Sequence, residues 1–146
     1  MSDSQITIVL AEDNPGDAYL VRLALEQTGL NFQLLELTDG EHAMRYLDEL
    51  DADHDSLCPA FLLLDLNLPR FDGKSVLGRL KTIKKCALTR TIVLTSSQYP
   101  VDRADVERMG ANRYFHKPQD LESFMKLGDL IVEMISAKGS TAVNTG

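Results

Sequence analysis

Short apolar runs alternate with amphipathic segments along the whole chain. Ile6-Thr7-Ile8-Val9-Leu10-Ala11 and Phe61-Leu62-Leu63-Leu64-Asp65-Leu66 read as strands buried on both faces, the pattern of a parallel sheet. Thr91-Ile92-Val93-Leu94-Thr95 is the clearest β-branched run and predicts another strand. Phe32 to Leu37 and Arg113 to His116 complete the set, the last stopped by Lys117-Pro118.

The intervening segments carry helix signals. Asn14-Pro15 is an N-cap followed by proline at the first helical position, Leu20, Val21, Ala24 and Leu25 form an apolar face, and Gly29 is a natural stop. Asp39-Gly40 opens a second helix with Ala43, Met44, Leu47 and Leu50 inward. A polar loop, Asp51 to Pro59, follows. Pro69, Phe71 and Asp72-Gly73 precede a third helix bearing Val76, Leu77, Leu80 and Ile83. Pro100 starts a fourth that ends near Gly110, and Asp120 caps a fifth with Phe124, Leu127, Ile131 and Met134 on one face. Met44, Met109, Met125 and Met134 occupy core-like positions and call for no cofactor. Strict alternation of strand and helix predicts one α/β domain, a doubly wound parallel sheet of order 2-1-3-4-5. It should span residues 1–137, leaving 138–146 as a flexible polar tail.

That order makes the first and third strands neighbours at the switch point, where ligands bind beyond the carboxyl ends of the strands. Glu12 and Asp13 follow the first strand and Asp65 ends the third. Carboxylates converging there repel unless a cation joins them, and a hard divalent metal with oxygen ligands, Mg²⁺ before others, answers that need. Thr95 brings a hydroxyl to the same edge and Lys117 an ammonium. A carboxylate nucleophile, a metal site, a hydroxyl and a lysine are what phosphoryl transfer to an aspartate requires. Taken singly, Glu12-Asp13 reads as a solvated helix entry, Thr95 as a strand former and Lys117 as a surface residue. Their ordered placement on successive strand ends reverses that reading.

Composition narrows the field. The chain has 146 residues, is 44% hydrophobic and 25% charged, and carries a net charge of −7, which argues against a nucleic-acid-binding surface. No apolar run reaches membrane-span length, and Met1-Ser2-Asp3-Ser4-Gln5 lacks the features of a signal peptide, so a cytoplasmic protein is expected. Cys58 and Cys86 fit no metal motif and are expected to be reduced thiols. His42 and His116 have no carboxylate or histidine at ligand spacing and read as structural or surface residues, and His54 lies in a polar loop that suggests no role.

In Glu12-Asp13, Asp65, Thr95 and Lys117-Pro118 the chain closely resembles receiver domains of two-component response regulators, whose fold is the flavodoxin-like (βα)5 sheet. The likeness runs from about Ile6 to Ile135. Glu12-Asp13-Asn14-Pro15-Gly16-Asp17, Leu64-Asp65-Leu66-Asn67-Leu68-Pro69 and Leu94-Thr95-Ser96-Ser97 look most like stand-alone regulators paired with bacterial phytochrome histidine kinases. Arg90-Thr91 departs from that subgroup, which often has Ile-Pro there. The resemblance implies that Asp65 accepts a phosphoryl group from a sensor histidine kinase, a bacteriophytochrome in that subgroup. It implies Mg²⁺ on Asp13, Asp65 and the backbone carbonyl of Asn67, with Glu12 acting through water. Lys117 would pair with Asp65 and then with the phosphoryl group, Thr95 would be the switch hydroxyl, and Tyr114 the aromatic that turns inward with it. The implied partners also include a histidine phosphotransfer protein and a second copy, through the face of the fourth helix, fifth strand and fifth helix. Self-phosphorylation and autodephosphorylation are the only chemistry expected.

Three rivals are weaker. An aspartyl-phosphate phosphatase would carry its nucleophile on the first strand in an Asp-X-Asp pattern, whereas the candidate here lies on the third and position 67 is Asn. A flavodoxin-like nucleotide binder would need a Ser/Thr/Gly-rich loop where Glu12-Asp13-Asn14-Pro15 stands. A degenerate receiver acting only as a binding module would not need so complete a site.

Overall fold

The computed structural model describes residues 4–96 and 99–144. Five parallel strands, β1 Ile6–Ala11, β2 Phe32–Leu37, β3 Phe61–Asp65, β4 Arg90–Thr95 and β5 Arg113–His116, form one sheet in the order β2-β1-β3-β4-β5. The helices are α1 Pro15–Glu26, α2 Gly40–Ala52, α3 Gly73–Lys81, α4 Pro100–Arg108, α5 Leu121–Phe124 and α6 Lys126–Asn144, with a short 3-10 turn at Lys84–Cys86.

Period-two alternation divides the strands between two cores. Val9, Ala11, Leu62, Leu64 and Val93 face α2, α3 and α4, where they meet Leu47, Val76, Leu77 and Val106. Ile8, Leu10, Phe61, Leu63, Ile92 and Leu94 face the other way, onto Val21 and Leu25 of α1 and Phe124, Leu127 and Ile131 of α5 and α6. All five residues of β3 are buried, as its unbroken apolar run requires, because it is central and covered on both faces. Edge strand β2 shows the opposite, with alternating exposure.

The caps act as the sequence predicts. The side chains of Asn14, Asp39, Asp72 and Asp120 each accept a hydrogen bond from a first-turn backbone N–H of the helix they open. The fifth helix is divided at Met125 into α5 and α6. Helical backbone then continues to Asn144, into the segment read from composition as a flexible tail; residues 145–146 lie outside the described ones.

The cysteine expectation is corrected: Cys58 and Cys86 form a disulfide, with Cα atoms 5.4 Å apart. They are 28 residues apart in sequence. Cys58 precedes β3 and Cys86 lies in the turn before β4, so pairing of these adjacent strands brings the two together. The same edge is fastened by Thr89 Oγ1, which donates to the carbonyl oxygen of Pro59 at 2.7 Å. Closing a loop of this size removes denatured-state entropy corresponding to about 3–4 kcal/mol. Equilibrium denaturation with and without a thiol reductant should therefore differ by roughly that amount. Identical unfolding curves for the reduced protein and a Cys58→Ser, Cys86→Ser variant, both below the oxidised protein, would assign the whole effect to this bond.

Candidate functional site

Strand register assembles the mouth of the sheet. Ala11 is opposite Leu64 and Asp65 opposite Leu94, so Glu12, Asp65 and Thr95 emerge at one level. β5 adds its terminus because the Lys117 N–H donates to the Thr95 carbonyl at 2.8 Å. Glu12, Asp65 and Thr95 are buried, whereas Asp13 and Asn67 are exposed at the rim.

Lys117 is the hub. Its Nζ donates to Glu12 Oε1 at 2.6 Å, to Asp17 Oδ2 at 2.9 Å and to Asp65 Oδ2 at 3.1 Å. The lysine side chain is only 9% exposed, so these are short, charge-assisted bonds largely shielded from water. The remaining carboxylate oxygens are held by backbone: Glu12 Oε2 accepts from the Asn14 N–H at 3.1 Å and Asp65 Oδ1 from the Asn67 N–H at 2.9 Å. Both carboxylates are thus oriented from two sides.

The loop after β3 is fitted closely to its neighbours. A Cβ at Gly73 would lie 2.4 Å from the carbonyl oxygen of Asp65, so only glycine lets α3 start this near the acidic residue. Gly40, at the start of α2, presses equally hard on the Phe71 carbonyl, and its N–H donates to the Pro69 carbonyl at 2.9 Å. Between them Arg70 adopts a left-handed backbone, φ 77°, with its guanidinium beside Asp39 and Glu41.

Burial pushes the Glu12 carboxyl up to about 7; the hydrogen bond from Lys117 opposes this and the charge of Asp65 adds to it. For Lys117, burial alone would lower the pKa. The hydrogen bonds to Glu12 and Asp17 and the charge of Asp65 outweigh it, and the lysine is held above its ordinary value, cationic throughout the neutral range. Glu12, Asp13 and Asp65 can each offer one carboxylate oxygen, all within 4.8 Å of one another. Three hard anionic donors at that spacing, more negative charge than one lysine neutralises, suit a divalent cation.

The two remaining expected residues lie toward β5. Thr95 is fully buried at the end of β4. Tyr114 is half-buried opposite Val93, with the Arg103 guanidinium of α4 at 5.3 Å from its ring centre. Sequence reasoning missed Asp17. Its only signal was position: the first turn of the helix that follows the acidic pair, on the side facing the crevice. It also missed Arg103, which no spacing rule connects to Tyr114.

A doubly wound sheet with an acidic, lysine-bridged mouth defines a class of α/β domains that act at the topological switch point. Comparison with known proteins narrows the class. Residues 8–128 match the response regulator receiver domain model. Response regulator Rcp1 of Synechocystis sp. is 32% identical over 120 residues, 82% of each chain. The crystal structure of its Mn²⁺-bound form superposes with a TM-score of 0.77 at 31% identity, covering 88% of this chain and 92% of that one. The phosphorylated cyanobacterial phytochrome response regulator RcpA gives a TM-score of 0.76 at 30% identity, covering 89% and 93%. The bacteriophytochrome response regulator AtBRR gives 0.67 at 34% identity, covering 84% and 89%. The chain belongs to the response regulator receiver domain family, in which phosphorylation and signalling are typical. No helix among the described residues is long and apolar enough to cross a membrane.

The raised Glu12 pKa sets a pH dependence. Glu12 binds its proton more tightly when folded, so its contribution to stability is complete below about pH 4.5 and is lost as pH rises through about 7. A divalent cation needs the carboxylate ionised, so its affinity should rise across that window and its binding should release a proton. Calorimetric titration of Mg²⁺ at pH 6, in two buffers of different ionisation enthalpy, should give different heats for the wild type and equal heats for Glu12→Gln. Equal heats for the wild type would show that Glu12 is already ionised at that pH.

Proposed function

We propose that Asp65 is the phosphoryl acceptor, that the donor is a phosphohistidine of a sensor histidine kinase, and that Mg²⁺ is the working cation. The observation that carries this reading is the Lys117 bridge, which orients Asp65 at the open end of β3 beside Glu12 and Asp13. Mg²⁺ would be held by Asp13, Asp65 and the backbone carbonyl of Asn67, with Glu12 acting through water; when bound it neutralises charge on the phosphoryl oxygens.

The protein groups do the rest. One Asp65 oxygen forms a bond to phosphorus as the P–N bond of the donor imidazole breaks, and the imidazole leaves with the electron pair and takes up a proton from solvent. The Lys117 N–H that bonds Asp65 is then available to a phosphoryl oxygen. The Thr95 hydroxyl donates to another, and Tyr114 turns inward as Thr95 moves. Arg103 lies 5.3 Å from the centre of the Tyr114 ring, a contact that an inward turn would break, so this tyrosine would be the bistable element that phosphorylation biases.

Likeness to RcpA and AtBRR supports a bacteriophytochrome as the kinase. Output would pass by protein contact, or by onward transfer to a histidine phosphotransfer protein, in the cytoplasm. The face of α4, β5 and the α5–α6 helix would bring two copies together. Exposed Tyr99, Val101 and Leu121 at the starts of α4 and α5 support that choice. The acting unit would be residues 1–137, with 138–146 appended to it.

Intact-protein mass spectrometry after incubation with acetyl phosphate tests the assignment. A single Mg²⁺-dependent phosphoryl adduct is expected on the wild type and none on Asp65→Asn. An equal adduct on Asp65→Asn would place the acceptor elsewhere. Lys117→Ala should weaken the phosphorylation-dependent change around Tyr114, read from the tyrosine ring resonances, more than it weakens the fold; an unchanged response would remove Lys117 from the switch.

A further inference from the structure

We propose that Asp17 is a positioning residue for Lys117: a carboxylate on α1 that anchors the lysine ammonium within reach of Asp65. The inference rests on the reading of Asp65 as phosphoryl acceptor and extends the site to a residue outside the acidic cluster that could take a metal.

A lysine ammonium has three N–H donors and no more. In this structure Glu12, Asp17 and Asp65 each take one. The three acceptors come from different elements, Glu12 from the end of β1, Asp65 from β3 and Asp17 from the first turn of α1. Lys117 itself sits on a flexible four-carbon stem beyond β5, so its backbone does not fix where the charge goes. Its contacts do.

The three bonds have different fates when a phosphoryl group arrives. The Asp65 bond is the one to be exchanged for a phosphoryl oxygen. The Glu12 carboxylate faces the divalent-cation cluster, where bound metal competes for it. Asp17 lies outside that cluster and accepts from Nζ at 2.9 Å, so neither event draws on its carboxylate. It is therefore the anchor that keeps the ammonium in place while its other partners change.

The first turn of a helix favours an acidic residue for electrostatic reasons of its own, and Asp17 sits there. That role concerns helix stability only. It predicts no effect on the lysine or on phosphoryl transfer, so the two can be separated.

The test uses the full chain, the variants Asp17→Ala and Asp17→Asn, and a Lys117→Met background. In the metal-free wild type the side-chain ammonium of Lys117, fully bonded and nearly buried, should give an observable ¹⁵Nζ–¹H resonance. Asp17→Ala should lose it through solvent exchange, while Asp17→Asn, which keeps an accepting oxygen, should retain it in weakened form. At saturating Mg²⁺ and acetyl phosphate, Asp17→Ala should phosphorylate roughly fivefold or more slowly than wild type. In the Lys117→Met background the same substitution should change the rate no further, because the anchor has nothing to hold. An unchanged Lys117 resonance, an unchanged rate, or an equal slowing in the Lys117→Met background would each overturn the assignment while leaving Asp65 as acceptor. If the wild type takes no phosphoryl group, the functional reading fails instead, and the metal-free resonance still decides whether Asp17 anchors the lysine.

Discussion

The arrangement of the site depends on one ammonium among carboxylates. Four acidic side chains, Glu12, Asp13, Asp17 and Asp65, lie around the mouth of the sheet, and two of them are almost wholly buried. Without a cation at their centre, burial and mutual repulsion would raise their proton affinity further or push the loops apart. Lys117 reaches three at once. The strand ends can therefore converge, and the convergence leaves an anionic excess that suits a divalent cation.

Backbone contacts around this centre are closest on one side. On the α2–α3 side the backbone is locked: Gly40 and Gly73 allow contacts that no side chain could make, and Arg70 is held in a left-handed conformation between them. Toward β5 the site is bounded by Thr95, buried at the end of β4, and by Tyr114, which lies under the guanidinium of a helix residue. Ion pairs from Lys74 to Asp102 and Asp105 join α3 to α4 at 3.0 Å each. At the far end of the sheet the Cys58–Cys86 bridge closes the β3 and β4 entries. The molecule is thus fastened at its base and on one flank.

Most of the fold was legible because it follows from local periodicity. The apolar runs of β1 and β3, the β-branched run of β4 and the Asn and Asp caps each specify an element without reference to distant residues. The strand order followed from alternation alone, and the order placed Glu12 beside Asp65. What escaped depended on side-chain reach or on contacts across the fold. Asp17 finds Lys117 across 100 residues of sequence. The disulfide needs β3 and β4 to be neighbours in register before two unremarkable cysteines meet. The division of the last helix at Met125 left no mark in its apolar stripe, which continues from Phe124 to Leu127 in one core.

By itself, then, the amino-acid sequence determined the elements, their order in the sheet and the chemical types delivered to its edge, since hydrophobic period and strand-end position are local properties that alternation converts into topology. Only the tertiary structure decided which carboxylates share the lysine, how far burial raises Glu12, which cysteines pair and which helix residue covers Tyr114. Those outcomes depend on distances of a few ångströms and on exclusion of water, and both exist only once the two cores have closed on the sheet.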